Sequence, residues 1–273
     1  MLPSLFVSHG APNLVLRDSP ARDCLSVLGR SLPRPDAILC ISAHYETERI
    51  SVSSDPWPET VYDFGGFEPE LYTLTYPAPG NPELASEVVS LLTEAGVDAE
   101  LERGRGFDHG VWVPLMLMYP DADIPVVQMS VRKEGAPSEH LAVGRALKSL
   151  QGRNILILGS GSMTHNLSEA FRWIRAGEDG TDTPDWVDGF ADRMIEESLS
   201  GNLAQVAENP DSIPGYRDNH PTDEHILPLF VAAGAGDGEG DTRLIHSSAQ
   251  YHVLRMDILA FGGQELQTAL MRS

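Results

Sequence analysis

Basic residues and cysteines are scarce in this sequence. The chain has two lysines, Lys133 and Lys148, and its 19 Lys and Arg stand against 40 Asp and Glu, giving a formal net charge of −21. A surface of this sign repels phosphate backbones and anionic lipids, which excludes nucleic acid and anionic membranes as partners. The two cysteines, Cys24 and Cys40, form neither a metal-spaced pair nor a disulfide framework, which favours a reducing compartment.

Long apolar runs are also missing. The first ten residues, MLPSLFVSHG, lack the basic region and the apolar length of a secretory signal, and no segment reaches the roughly 18 apolar residues of a membrane span. We therefore expect a cytoplasmic protein. Hydrophobic residues make up 41% of the chain, enough for a substantial core, and no repeat, linker or change in composition divides it. The sequence predicts a single domain over residues 1–273.

Strand-like and helix-like segments alternate along the chain. The strand-like runs include SLFVS, AILCISA, IPVVQMS and NILILGS. One predicted helix begins near Ser19, and another places Leu84, Val88, Leu91 and Leu92 on one face. This alternation is typical of an α/β fold with a central, mostly parallel or mixed, twisted sheet flanked by helices. The last such segment, TRLIHSSAQYHVLRMDILAF, predicts a hairpin or two adjacent strands.

Three histidines come at the ends of apolar runs. SLFVS leads into His9, AILCISA into His44, and ILILGSGSMT into His165. Because ligands of open α/β sheets bind beyond the carboxyl ends of the strands, these imidazoles can converge there. His109, in GFDHG, and His225, in HPTDEH, lie at predicted helix entrances, where functional residues concentrate. Neutral imidazole suits iron, zinc, copper or nickel, and the pattern indicates a metal site at the carboxyl ends of the strands.

The remaining histidines lack this context. We expect His140, His246 and His252 to be surface or structural residues, and the sequence leaves the role of His220 open. No H-x-x-x-H or H-E-x-x-H motif occurs, so the ligands of a shared metal ion must come from distant segments.

Several long blocks of the sequence resemble the class III extradiol ring-cleaving dioxygenases, in particular the single-chain 4,5-DOPA dioxygenase type. The blocks span nearly the whole chain and are SHGAP, LPRPDAILCISAHYE, YDFGGFEPELYTLTYPAPGNPELA, GFDHGVWVPLMLMYPDADIPVVQMS, GSGSMTHNL and DEHILPL. The resemblance implies that His9, His44 and His225 are metal ligands. It also implies that His165 stands beside the metal as a base or fourth ligand, and that His109 is a catalytic residue in contact with substrate.

The third ligand is where this family branch departs from the wider superfamily. The superfamily completes a site of two histidines and one carboxylate, whereas the DOPA-type branch has a histidine there, which in this chain is His225 beside Glu224. An all-histidine site is neutral and suits zinc as well as iron. The resemblance therefore implies one Fe(II) or Zn(II) per chain, O2 as co-substrate, and a DOPA-like catechol that is opened to a semialdehyde.

Residues 55–81 form a long predicted loop rich in proline, glycine and aromatic residues. Within it, Tyr62, Phe64 and Phe67 surround a flexible Gly65–Gly66 pair. These rings could form a substrate-binding wall or lid over a flat molecule, and ordinary loop packing explains them equally well.

Two other functions are compatible with these histidines. A zinc-dependent hydrolase would lose activity with a chelator but would need no oxygen. A non-catalytic metal-binding or interaction protein resembling the Memo proteins would share the fold, although the FDHG and THN blocks favour an enzyme. The sequence is compatible with a homodimer or a monomer.

Overall fold

The core of the protein is an eight-stranded sheet, seen in a computed structural model that describes residues 1–177, 180–237 and 241–263. The strands of this sheet are β1 (Ser4–Ser8), β2 (Ala37–Thr47), β3 (Ile50–Ser53), β4 (Ala99–Glu102), β5 (Val126–Arg132), β6 (Ile155–Gly161), β7 (Arg243–His246) and β10 (Ile258–Phe261). A separate two-stranded ribbon is made of β8 (Ala249–Gln250) and β9 (Leu254–Arg255).

Helices occupy the connections between the strands. They are α1 (Pro20–Ser31), α2 (Pro82–Glu94), α3 (His109–Met118), α4 (Pro137–Leu147), α5 (Leu167–Ala176), α6 (Asp185–Leu199), α7 (Leu203–Glu208), α8 (Tyr216–Asn219) and α9 (Leu227–Ala235). Short 3-10 turns cover Pro12–Val15, Pro69–Thr73, Lys148–Arg153 and Pro210–Ser212. Ser19 caps α1 as expected, because its side chain accepts a hydrogen bond from the backbone of Arg22.

The sheet is mixed, with parallel strands at its centre. The spatial order is β4-β3-β5-β2-β6-β1-β10-β7. The four central strands β5, β2, β6 and β1 are mutually parallel, whereas β3 is antiparallel to β5, and β10 is antiparallel to both β1 and β7. The predicted single α/β domain with a mixed sheet is therefore confirmed. The carboxyl ends of the central strands all meet at one edge of the sheet.

Both faces of the sheet are covered, as the near-continuous apolar runs require. Along β2, Ile38 and Cys40 pack into a core cluster that includes residues of α1 and α3. Leu39 and Ile41 point the opposite way, into a cluster built with α2, α4 and α9. Alternate side chains of a buried strand thus join two separate hydrophobic layers.

Two expected boundaries were wrong. β2 does not end at His44 but runs on to Thr47, with its pairing to β5 interrupted between Ser42 and Glu46. Such an irregularity re-aims side chains without ending the strand. The helix near His225 begins only at Leu227, because residues 223–226 form a turn in which the backbone N–H of Ile226 bonds to the carbonyl oxygen of Asp223.

The chain after Thr242 forms two adjacent strands, β7 and β10, as expected, with the β8–β9 ribbon inserted between them. Residues 55–81 are a long loop interrupted by one 3-10 turn, also as expected. Within the described ranges, none of the helices combines the length and hydropathy of a membrane span.

Candidate active site

Three imidazole rings meet at the carboxyl ends of the central strands. His9 follows β1, His44 lies in the irregular part of β2, and His225 lies in the turn before α9. Nε2 of His44 is 3.0 Å from Nε2 of His9 and 3.2 Å from Nε2 of His225. The carbonyl oxygen of His225 accepts a hydrogen bond from the Ser162 N–H at 2.9 Å, which anchors the turn to the sheet. A Cβ on Gly161 would lie 2.1 Å from that oxygen, so this approach needs a glycine.

Ser160 fixes the tautomer of His9. Nδ1 of His9 lies 3.0 Å from Ser160 Oγ, and the Ser160 hydroxyl donates its single proton to the carbonyl oxygen of Gly110. The hydroxyl oxygen must then accept the proton of His9 Nδ1–H. Nε2 of His9 is therefore unprotonated, with its lone pair free for the point where the three rings meet.

Carboxylates lie beside the outer nitrogens of the other two rings. Nδ1 of His225 lies 2.9 Å from Glu224 Oε1, and Nδ1 of His44 lies 3.5 Å from Asp63 Oδ2. An ionised carboxylate can only accept, so the hydrogen bond to Glu224 puts the proton of His225 on Nδ1 and leaves its Nε2 unprotonated, and the nearby charge of Asp63 favours the same tautomer in His44. Glu224 thus contacts the outer nitrogen of His225, in the position of an orienting group.

The spacing of the three Nε2 atoms fits a bound cation. A metal ion with bonds of about 2.1 Å holds its ligands about 3.0 to 3.4 Å apart, and the two measured distances of 3.0 and 3.2 Å fall in this range. Burial, reinforced by neighbouring imidazoles, lowers the pKa of His9, His44 and His225 well below the usual value. The rings are neutral near pH 7, which is the form that binds transition metals.

His109 lies beside His44 and is held by Asp63. The His109 backbone N–H donates to Asp63 Oδ1 at 3.0 Å, and Nδ1 of its ring lies 2.9 Å from the same oxygen. The ring centroids of His44 and His109 are 3.9 Å apart. Burial alone would raise the pKa of Asp63, but the hydrogen bonds and charge of His109 outweigh it and lower the pKa to about 2. An ionised Asp63 holds the Nδ1 proton and leaves Nε2 of His109 available in the cavity.

His165 stacks on His225. Their ring centroids are 3.3 Å apart and their planes differ by 13°, and Nδ1 of His165 lies 3.8 Å from Glu224 Oε1. Burial lowers the pKa of His165 to about 3, so this ring is also neutral near pH 7. The ligand atoms of His9, His44 and His225 lie within 4.8 Å of one another, whereas His165 forms such a group with Glu224 and His225.

Asp108 ties the entrance of α3 to the strand that carries His44. Its buried carboxylate accepts hydrogen bonds from Ser42 Oγ at 2.6 Å and from Arg105 at 2.7 Å. Arg105 also donates to the carbonyl oxygen of His44 at 3.1 Å. A Cβ on Gly110 would lie 2.5 Å from Ser42 Oγ, so the close approach of the helix needs this glycine. The arrangement holds His44 and His109 side by side.

A cavity of about 310 Å³ opens above these rings. Phe64 and Phe67 line it, and the ring centroid of Phe64 lies 5.6 Å from that of His109. Tyr62 lies behind this wall, because its hydroxyl donates to the carbonyl oxygen of Leu74 at 2.7 Å and its ring meets Phe64 edge-on. Of the three aromatic residues predicted to bind substrate, Phe64 and Phe67 line the cavity, whereas Tyr62 packs behind Phe64.

The other histidines lie outside this cavity. His140 is buried and bonded to the backbone at both ring nitrogens, so it is a structural residue. Nε2 of His246 contacts the hydroxyl of Ser248. Nδ1 of His252 contacts the carbonyl oxygen of Asp182. His220 is buried, with Nε2 2.9 Å from the carbonyl oxygen of Met163.

Sequence reasoning missed Asp63 and Ser160. The signals available were an acidic residue within the aromatic loop and a polar residue at the end of an apolar strand. Glu224, the carboxylate next to the third predicted ligand, contacts the outer nitrogen of His225.

Comparison with known proteins gives one consistent family. Residues 6–261 match the family described as the catalytic LigB subunit of aromatic ring-opening dioxygenase. A 4,5-DOPA dioxygenase extradiol of Beta vulgaris is 39% identical over 256 residues, which cover 90% of this chain and 91% of that protein. The protein of the same name from Escherichia coli K12 is 39% identical over 247 residues, covering 87% and 86%.

A solved structure agrees with these sequence matches. The crystal structure of an uncharacterized Escherichia coli K12 protein superposes with a TM-score of 0.79 at 34% identity and covers 96% of this chain and 100% of that one. The family match over residues 6–261 includes all five histidines that line the cavity. The chain therefore belongs to the metal-dependent family of extradiol, aromatic ring-opening dioxygenases.

Proposed function

We propose that the protein opens the ring of a catechol beside its two hydroxyl groups, with O2 as co-substrate, and releases a ring-opened semialdehyde. One Fe(II) ion per chain, with Zn(II) as the competing metal, is bound by Nε2 of His9, His44 and His225. The relatives' names point to DOPA as a reference catechol. The proposal treats residues 1–273 as one catalytic domain, of which 178–179, 238–240 and 264–273 lie outside the described residues.

One observation carries the proposal: the Nε2 atom of His44 lies 3.0 Å from that of His9 and 3.2 Å from that of His225, and the three rings meet beneath a cavity with an aromatic wall. When bound, Fe(II) supplies Lewis acidity toward the catechol oxygens and the electron transfer that lets O2 react with the ring. Phe64 and Phe67 offer flat apolar surface against which an aromatic ring can lie. The same walls limit the access of water to the reacting ring.

His165 is proposed as the base that takes a proton from the catechol hydroxyl. Burial lowers its pKa to about 3, so the imidazole is neutral at pH 7, and it can take up a proton only where a nearby negative charge stabilises the imidazolium. Glu224, 3.8 Å from its Nδ1, stabilises the positive charge that follows. The grouping of His165 with Glu224 and His225, and not with His9 and His44, supports a base over a fourth ligand.

His109 is proposed as the second proton-transfer group, on the opposite side of His44. Asp63 keeps a proton on its Nδ1 and stabilises an added charge, so Nε2 can exchange a proton with the substrate. The two proposed proton-transfer histidines therefore lie beside two different ligands, and each shares a carboxylate with that ligand: His109 shares Asp63 with His44, and His165 shares Glu224 with His225.

The test varies the bound metal and the presence of O2 independently. Metal-free protein is loaded anaerobically with Fe(II) or with Zn(II) and mixed with a panel of catechols, first without O2 and then with it. We expect O2 consumption and a new visible absorbance, from a yellow semialdehyde, in the Fe(II) protein alone. Product formation by the Zn(II) protein without O2 would identify a hydrolase, and retained metal without turnover of any compound would identify a binding protein.

A matched pair of variants tests the ligand set. His44→Ala should lose stoichiometric metal, whereas His246→Ala, which removes a partly buried imidazole on β7 outside the cavity, should retain it. Unchanged metal content in His44→Ala would remove that residue from the proposed ligands.

A further inference from the structure

One wall of the active-site cavity is the apolar face of α5. Leu167, Ala170, Phe171 and Ile174 line the cavity, and their spacing puts them on one side of the helix. Leu167, Phe171 and Ile174 remain 43%, 50% and 42% exposed. Large apolar side chains grouped in this way on an accessible surface mark a binding surface.

This face is continuous with the histidine cluster. The cavity that the α5 side chains line also contains His165 and His225, and α5 begins two residues after His165. Leu254, Phe64 and Phe67 add further apolar surface to the lining. A substituent on a ring held above the histidines therefore meets hydrocarbon on the α5 side.

Positive charge is missing from this lining. No Lys or Arg belongs to the cavity wall within the described part of the chain. Arg172 of α5 pairs with Glu169 at 3.0 Å, and its guanidinium lies 5.2 Å from the ring centroid of Trp173. Asp63 contributes a carboxylate to the wall. A substrate carboxylate would thus lose hydration without gaining an ion pair.

We propose that the α5 wall is a subsite for an uncharged, apolar substituent of the catechol ring. Alkyl-substituted catechols should then bind better than catechols with a carboxylate or amino-acid side chain such as that of DOPA. This inference rests on the proposed function, because it concerns the substituent of the same catechol. Each methylene buried against the wall should improve affinity by up to about fourfold, and a carboxylate should weaken it.

A matched pair of ligands isolates the substituent. 4-Propylcatechol and 3-(3,4-dihydroxyphenyl)propionate share a three-carbon side chain and differ in a terminal methyl or carboxylate. Their dissociation constants are measured by calorimetry with Fe(II)-loaded protein under anaerobic conditions, where ring opening cannot occur. We expect 4-propylcatechol to bind at least about 10-fold more tightly.

Two arginine variants assign the preference to α5. Phe171→Arg should shift the ratio of dissociation constants at least about 10-fold toward the propionate, because it supplies the missing positive charge. Leu101→Arg places the same change on a comparably exposed leucine, 46% exposed, on β4 outside the cavity and should leave the ratio unchanged. Size-exclusion chromatography of the parent and Phe171→Arg proteins shows whether the apolar face of α5 is instead the interface between two copies of the chain.

The outcomes separate the inference from the proposed function. Equal or tighter binding of the propionate, or a dimer that Phe171→Arg dissociates, would overturn the α5 subsite. Admitting O2 afterwards tests ring opening on its own, so absence of any oxygen uptake would overturn the proposed function while the binding ratio still decides the subsite.

Discussion

Ser160→Ala should weaken metal binding without disturbing any proposed metal ligand directly. In the parent protein, the Ser160 hydroxyl accepts from Nδ1 of His9 and donates to the carbonyl oxygen of Gly110. Ser160 is fully buried, so the alanine leaves both groups without this partner. Moving the His9 proton to Nε2 would relieve the unpaired N–H, but it would occupy the lone pair that the metal needs.

The size of the loss follows from two independent arguments. An unsatisfied buried donor costs about 1 to 3 kcal/mol, and removing an outer partner of a metal-bound histidine costs about 10- to 100-fold in metal affinity, which is about 1.4 to 2.7 kcal/mol. The two ranges overlap, and we therefore expect the dissociation constant for Zn(II) or Fe(II) to rise by about 10- to 100-fold.

The assay is competition for metal against a coloured chelator at pH 7. Ser4→Ala is the matched control, because Ser4 is also a fully buried serine of the sheet, its hydroxyl donates to the carbonyl oxygen of Ala232 at 2.6 Å, and it lies at the opposite end of β1. Equal affinities of Ser160→Ala and Ser4→Ala would refute the tautomer argument, since they would show that the hydroxyl has no specific influence on His9.

Two further predictions concern proton transfer and stability. His165→Ala and His109→Ala should each retain metal but lose turnover by roughly 10²- to 10⁴-fold in steady-state assays, and loss of metal from His165→Ala would instead make it a fourth ligand. Burial lowers the pKa of His140 to about 4, and its Nε2 accepts the Arg132 N–H, so the folded protein excludes a proton that the unfolded chain takes up below pH 6.5. The contribution of His140 to the free energy of unfolding is therefore fully present above about pH 6.5. As the pH is lowered from 6.5 to 5, this contribution should fall by about 2 kcal/mol. Urea unfolding of His140→Gln should show a correspondingly shallower decline, and an identical decline would exclude His140 as the source.

The sequence predicted the fold because its strongest signals are local. β1, β2, β5 and β6 are short apolar runs bounded by polar segments, and the histidines that follow β1 and β6 mark one edge of the sheet. The course of β2 beyond His44 was not predictable, since its irregular pairing between Ser42 and Glu46 depends on the neighbouring strand. The late start of α9 likewise depends on the turn that Asp223 closes.

The histidines of the site could be found from the sequence, whereas the groups that orient them could not. Ser160 contacts a residue 151 positions away, and Asp63 contacts one 46 positions away. The local sequence marks each residue as polar in an apolar or aromatic setting but does not identify its partner, because the contact exists only after the sheet and the aromatic loop are assembled. Tyr62 illustrates the reverse case, since an aromatic residue next to the cavity wall is turned away by its bond to the backbone of Leu74.

The central claim is that O2, activated at the three-histidine site, is what opens the aromatic ring. The most direct test is turnover of a catechol by the Fe(II)-loaded protein under isotopically labelled O2, with the aldehyde reduced as it forms so that its oxygen cannot exchange with water. We expect mass spectrometry to find both labelled oxygen atoms in the product. A product that takes its new oxygen only from labelled water would contradict the account.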